Sequence, residues 1–156
     1  MSSTIQPVLS IIYSLQAAFS AYSLYLASIS IQNLQKYEEK SEKAAEWSNT
    51  AEKQLHKSRT TQASGTLAMV ASFITSSASI FYPSSKFAGL AIACANVGAL
   101  LAARVHVGNF WNGKAKVPLP GAGEYNDAIS RTQALRLNMA YLASSWGLCV
   151  VLLAVL

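Results

Sequence analysis

Residues 8–31 read VLSIIYSLQAAFSAYSLYLASISI, without a charge, a glycine or a proline. At 1.5 Å per residue a helix over this stretch is about 36 Å long, enough to cross the ~30 Å hydrocarbon core of a bilayer with some tilt. Pro7 stands just ahead of it, where a first helical turn tolerates proline. No lysine or arginine precedes Lys36, so the stretch lacks the positive n-region of a secretory signal and the arginine-rich face of a transit peptide. The expectation is a span retained in the mature protein.

Outward from this stretch the same pattern recurs. No charged residue occurs in 1–35, 60–85, 87–103 or 137–156, which together make up nearly two-thirds of the 156 residues. Charged residues are 12% of the chain and apolar residues 52%. A soluble domain of this size cannot keep so much of its length free of charge and stay dispersed. The reading is one integral membrane domain over 1–156, all-α, an up-down four-helix bundle with spans near 8–31, 63–82, 87–103 and 137–156. The second span is the weakest, because Ser72, Thr75, Ser76, Ser77 and Ser79 dilute it, although hydroxyls in a membrane helix bond to their own carbonyls or to a neighbour. Tyr82-Pro83-Ser84-Ser85 leaves so short a connection that spans two and three must pair antiparallel.

The net charge of +5 does not point to nucleic acid, because no continuous basic stripe is available to track phosphates. The positive residues mark a side of the membrane instead. Lys36, Lys40, Lys43, Lys53, Lys57 and Arg59 fall in the first connection, and Arg104, Lys114, Lys116, Arg131 and Arg136 in the last, against Lys86 alone on the other face. Both long connections are therefore expected in the cytoplasm and both termini away from it, in an endomembrane such as the ER or in the plasma membrane.

Between residues 8 and 64 no glycine or proline interrupts the chain. The first and second helices are thus expected to run on into a cytoplasmic helical hairpin over 32–62, turning near Ser48-Asn49-Thr50, with Asn49 as cap and Glu52 completing a capping box. A seam of period 3.5 (Leu34, Tyr37, Ser41, Ala44, Ser48, Ala51, Leu55) pairs the arms, with the charges turned to water. The alternative is one solvated helix lying along the surface. The connection 104–136 reads as an irregular loop, rich in turn residues at Trp111-Asn112-Gly113 and from Pro118 to Gly123, with helical character returning near Tyr125. Phe110, Trp111 and Tyr125 suggest interfacial anchors.

Small residues four apart, such as Ser72 with Ser76, Ala91 with Ala95 and Ala99, and Ala143 with Gly147, predict close helix packing in lipid. Gln16 and Asn96 are the conspicuous intramembrane polar side chains. Each is expected to find an interhelical hydrogen bond, and Asn138 to join the same network. Cys94 and Cys149 lie in apolar runs and read as small apolar side chains. His56, with Glu52 one turn before it, falls short of the three or four converging ligands a metal needs, and no cofactor is implied. P-loop, GxSxG and HExxH patterns are missing, and no acidic residue lies within a span, which argues against proton-coupled transport.

Two functions from different classes remain. One is a non-catalytic scaffold or accessory subunit, with the bilayer around it and a protein partner or a second copy on helices 32–62. The other is a small membrane-embedded tailoring enzyme, of oxygenase or isomerase type, acting on a lipophilic substrate. In length and span number alone the chain is similar to the four-span anthrone-oxygenase-like proteins. An enzyme would draw its catalytic groups from the cytoplasmic rim: Arg104, His106, Glu124, Asp127, Arg131 and Asn138. Convergence of these side chains on one pocket separates the two.

Overall fold

The computed structural model describes residues 5–45, 49–114, 116 and 123–155. Its elements are four α-helices: α1 (Ile5–Ala45), α2 (Asn49–Phe81), α3 (Lys86–Trp111) and α4 (Gly123–Val155). All four are long and apolar enough to cross a membrane.

The helices outlast their apolar stretches because nothing in the sequence stops them. α1 has 41 residues, about 60 Å, roughly twice the hydrocarbon thickness. Asn49 and Thr50 are already helical, and residues 46–48, which hold part of the expected turn, lie outside the described residues. Of the predicted seam only its start is described, and it is not a simple α1–α2 zipper. Leu34 is buried, whereas Tyr37 turns toward α4 and stacks on Tyr125 at 4.8 Å between ring centroids. The expectation that charges here face water also needs correction. Glu38 is 7% exposed and accepts a hydrogen bond from Arg59 Nε at 3.0 Å. The guanidinium supplies the partner that makes burial of a carboxylate tolerable.

The connection between the second and third helices is short, as the proline required. Ser85 caps α3, its hydroxyl accepting from the Ala88 amide at 3.3 Å. The connection expected to be irregular over 104–136 is instead helical at both ends. α3 continues through Arg104 to Trp111 and α4 already begins at Gly123. Arginine and histidine end a hydrophobic window, but they do not end a helix, since neither removes a backbone donor.

Each helix packs mainly against two others, and α2 and α4 also meet across the interior through Gln62–Thr132 and Ser72–Trp146. Gln16–Ser145 and Ser30–Thr132 run α1 antiparallel to α4, and Ser20–Ser72 with Glu38–Arg59 run it antiparallel to α2. Asn96–Thr75 and Trp111–Thr61 pair α3 with α2, and Gln133–Trp111 pairs α4 with α3. The centre holds Met69, Leu100, Trp111, Met139, Leu142 and Trp146, all less than 2% exposed. Trp111 is therefore a core residue rather than an interfacial anchor. Its indole N–H is satisfied inward by Thr61 at 2.9 Å, and Phe110 packs edge-on against it.

Outside, the polarity is that of a protein in lipid. Leu15, Tyr25, Leu67, Ile74, Phe87, Leu148 and Val151 are exposed, while Gln16, Ser20, Ser23, Ser30, Ser72, Ser76, Asn96 and Asn138 are buried. Water would favour the reverse; hydrocarbon favours this. The small residues divide in a way their spacing did not predict. Ser72, Ser76 and Ala143 are in the interior, but Ala91, Ala95, Gly98, Ala99 and Ala102 face outward. The packed face of α3 is Gly89, Ala93, Asn96, Leu100, Ala103, Val107, Gly108 and Trp111.

Candidate functional site

The polar side chains of the interior follow one stripe of α1. Its buried positions are 5, 9, 13, 16, 20, 23, 27, 30, 34 and 38, a helical period unbroken along the element. From Gln16 onward the stripe is mostly polar, and each polar member meets a partner on another helix or bonds its own backbone. Gln16 Nε2 donates to Ser145 Oγ at 2.9 Å and approaches Cys149 Sγ at 3.7 Å, while its Oε1 is buried without a partner. Ser20 donates to Ser72 at 3.1 Å, and Trp146 Nε1 donates to the same hydroxyl at 3.0 Å. Ser23 donates to the Phe19 carbonyl and accepts from Asn138 Nδ2 at 3.1 Å. Ser30 meets Thr132 at 3.3 Å, and Thr132 also accepts from Gln62 Nε2 at 2.7 Å.

Asn96 belongs to a different interface. Its Nδ2 donates to Thr75 Oγ1 at 3.0 Å and to the Ile92 carbonyl at 2.9 Å. It therefore ties α3 to α2, whereas Asn138 ties α4 to α1, and the single network expected for the two amides is in fact two. Sequence reasoning singled out the amides, named Ser72 only as a packing residue and a hydroxyl of the second span, and missed Ser20, Ser23, Ser30 and Trp146. The signal that finds Ser20, Ser23 and Ser30 is the α1 period itself, which places three serines and a glutamine on one face; Ser72 and Trp146 are found only through their contacts with that face.

At the charged end, the six candidate catalytic residues occupy several environments. Asp127 accepts from Asn33 on α1 and pairs with Arg131 at 2.7 Å, one turn along its own helix. Asn138 lies in the interior against Ser23. Glu124 is half-buried in the first turn of α4. His106 is exposed and lines a groove of about 450 Å³ between α2 and α3, beside Leu67, Ala68, Ala99, Ala102 and Ala103. Arg104 is not among the residues lining that groove, and its charge acts on Arg136 of α4, a residue outside the predicted site. The Asp127–Arg131 pair is thus separate from Arg104, which is grouped with Arg136, and His106 belongs to neither set.

Among the described residues no three of His, Cys, Asp and Glu come together as metal ligands. Cys94 is exposed and Cys149 buried, and both are free thiols. Chemically, the interior offers neutral hydroxyls and amides bonded to one another, and the charged end offers a neutralised carboxylate and an unneutralised arginine pair. Comparison with known protein families, with curated proteins and with solved structures finds no match for the chain.

Proposed function

We propose that the chain is a non-catalytic accessory or scaffolding subunit of a membrane complex, an up-down bundle of four spans whose helices continue over 32–62 as a cytoplasmic hairpin for a protein partner or a second copy. Both termini then lie on the non-cytoplasmic side, in the ER or the plasma membrane. The observation that carries this reading is the way the interior polar groups are used. They cross-link helices to one another, so they fix the register of a bundle rather than face a shared cavity. The excess length of α1 and α2 beyond the hydrocarbon thickness supports the hairpin as the docking element.

The test is purification of the full chain from native membranes in mild detergent, followed by native mass spectrometry. The expected result is a protein partner or second copy at fixed stoichiometry, lost on Ala44→Glu with Ala51→Glu while helical content is retained. A chain that is monomeric and partner-free in both forms overturns the proposal.

One observation favours the enzymatic alternative. The α2–α3 groove is apolar, open to the outside, and carries an imidazole at its rim. That is a setting in which a lipophilic substrate meets an acid–base group. A small molecule co-purifying with the chain, and its turnover abolished by His106→Ala, would establish that reading over the first.

A further inference from the structure

The Arg136 guanidinium of α4 crosses α3 at Gly108, one helical turn from Arg104, so the two charges share the α3–α4 seam and are felt by one another; neither makes an ion pair among the described residues. Among the described residues the arginine–carboxylate pairs lie elsewhere, at Glu38–Arg59 and Asp127–Arg131. Arg136 is held in place. Its Nη1 donates to Asn112 Oδ1 and to Gln133 Oε1, the latter at 2.7 Å. It lies across bare α3 backbone at Gly108, where a Cβ would come within 2.8 Å of Nη2. Both guanidiniums have a buried Nε without a hydrogen-bond partner. Two like charges side by side, one fixed by neutral amides and both with donors to spare, repel each other unless an anion lies between them.

The position narrows the anion's chemistry. The pair sits where the apolar stretch of α3 ends and that of α4 begins, and Leu101, Val105 and Leu137, adjacent in the chain, are exposed. A planar guanidinium fork matches phosphate oxygens two at a time, and basic clefts between membrane helices near the bilayer surface suit phosphate headgroups. We propose that Arg104 and Arg136 form a binding site for a phosphate group, carried by an anionic phospholipid whose acyl chains run along the apolar surface at Leu101, Val105 and Leu137.

The test uses the full chain in nanodiscs of phosphatidylcholine, with and without phosphatidylglycerol, and in neutral detergent with and without inorganic phosphate. The readout is the thermal midpoint. Phosphatidylglycerol at tenfold excess over its Kd raises Tm by about 3–6 °C in the wild type. The rise disappears in Arg104→Gln with Arg136→Gln and persists in Lys116→Gln, a change at an exposed position of the same charged end. If the double glutamine variant fails to fold, Arg104→Lys with Arg136→Lys takes its place. It keeps both charges, loses the forks, and is expected to lose at least half of the rise. A rise with the lipid alone, or with lipid and inorganic phosphate together, supports the headgroup. A rise with inorganic phosphate alone keeps the arginine site but transfers it to a soluble phosphate. No rise with either, or a rise unchanged in the arginine variants, overturns the proposal.

Discussion

Asn96 and Gln16 are both buried amides in apolar runs, yet their surroundings assign them different weights. Asn96 gives hydrogen bonds to Thr75 and to the Ile92 carbonyl, and its own oxygen lies 3.3 Å from the Thr75 hydroxyl. Gln16 leaves Oε1 buried and unpartnered and gives one of its bonds to a thiol, a weak acceptor. Asn96→Leu is therefore expected to destabilise the fold by ~0.5–2 kcal/mol. Gln16→Leu removes an orphaned acceptor along with its bonds and is expected to cost less, within about 1 kcal/mol of neutral. Unfolding of the two variants in mixed micelles checks the order, and a Gln16→Leu loss larger than that of Asn96→Leu contradicts it. Both amides were legible in the sequence because an amide stands out among leucines. The serines were not, because Ser10, Ser14 and Ser28 share the same helix and point outward. A serine satisfies itself on its own turn, as Ser14 does on the Ser10 carbonyl, so its identity does not tell which face it occupies.

At the scale of the element, the helices were legible where the sequence holds no breaker and illegible where charge was read as a boundary. The run free of glycine and proline from 8 to 64 predicts α1 and the start of α2, and both continue beyond the bilayer thickness. Arg104 and His106 mark where apolar surface ends, and a helix is indifferent to that, so α3 runs on to Trp111. The burial of Trp111 was hidden for a related reason. Its partners Thr61 and Gln133 are distant in sequence, and only the packing of three helices brings them together. The extension of α1 and α2 is tied at Glu38 and Arg59. Arg59→Glu sets two carboxylates against each other with one of them buried, and is expected to cost about 1 kcal/mol, since water still reaches the arginine. Adding Glu38→Lys restores opposite charges and is expected to recover most of that loss. Hydrogen exchange over residues 36–45 and 53–62 reads the effect locally. Equal protection in wild type and Arg59→Glu removes the ion pair from any account of how these segments hold together.

For the whole molecule the distribution of charge and the direction of the helices constrain each other. Eleven of the twelve lysines and arginines fall in the two long connections and their flanking turns, and Lys86 stands alone at the opposite end. Consecutive helices run antiparallel in their contacts, so Glu38, Arg59, Trp111 and Gln133 lie at one end and Ser84 and Gly89 at the other. Positive charge is retained on the cytoplasmic side during insertion, which is the ground for the proposal that the end holding eleven charges is cytoplasmic. The sequence carries this argument almost unaided, because charge asymmetry is a property of composition along the chain and does not depend on which faces pack. Labelling of single cysteines with a membrane-impermeant maleimide checks it, after Cys94 and Cys149 are replaced by serine. Lys40→Cys and Ala115→Cys are expected to react only when the cytoplasmic face is opened to the reagent, and Ser84→Cys only from the opposite face. Reaction of position 84 from the same side as position 40 is incompatible with four crossings. Reaction of all three in the reversed sense preserves the four crossings and places the charged end, with its arginine pair, in the other leaflet.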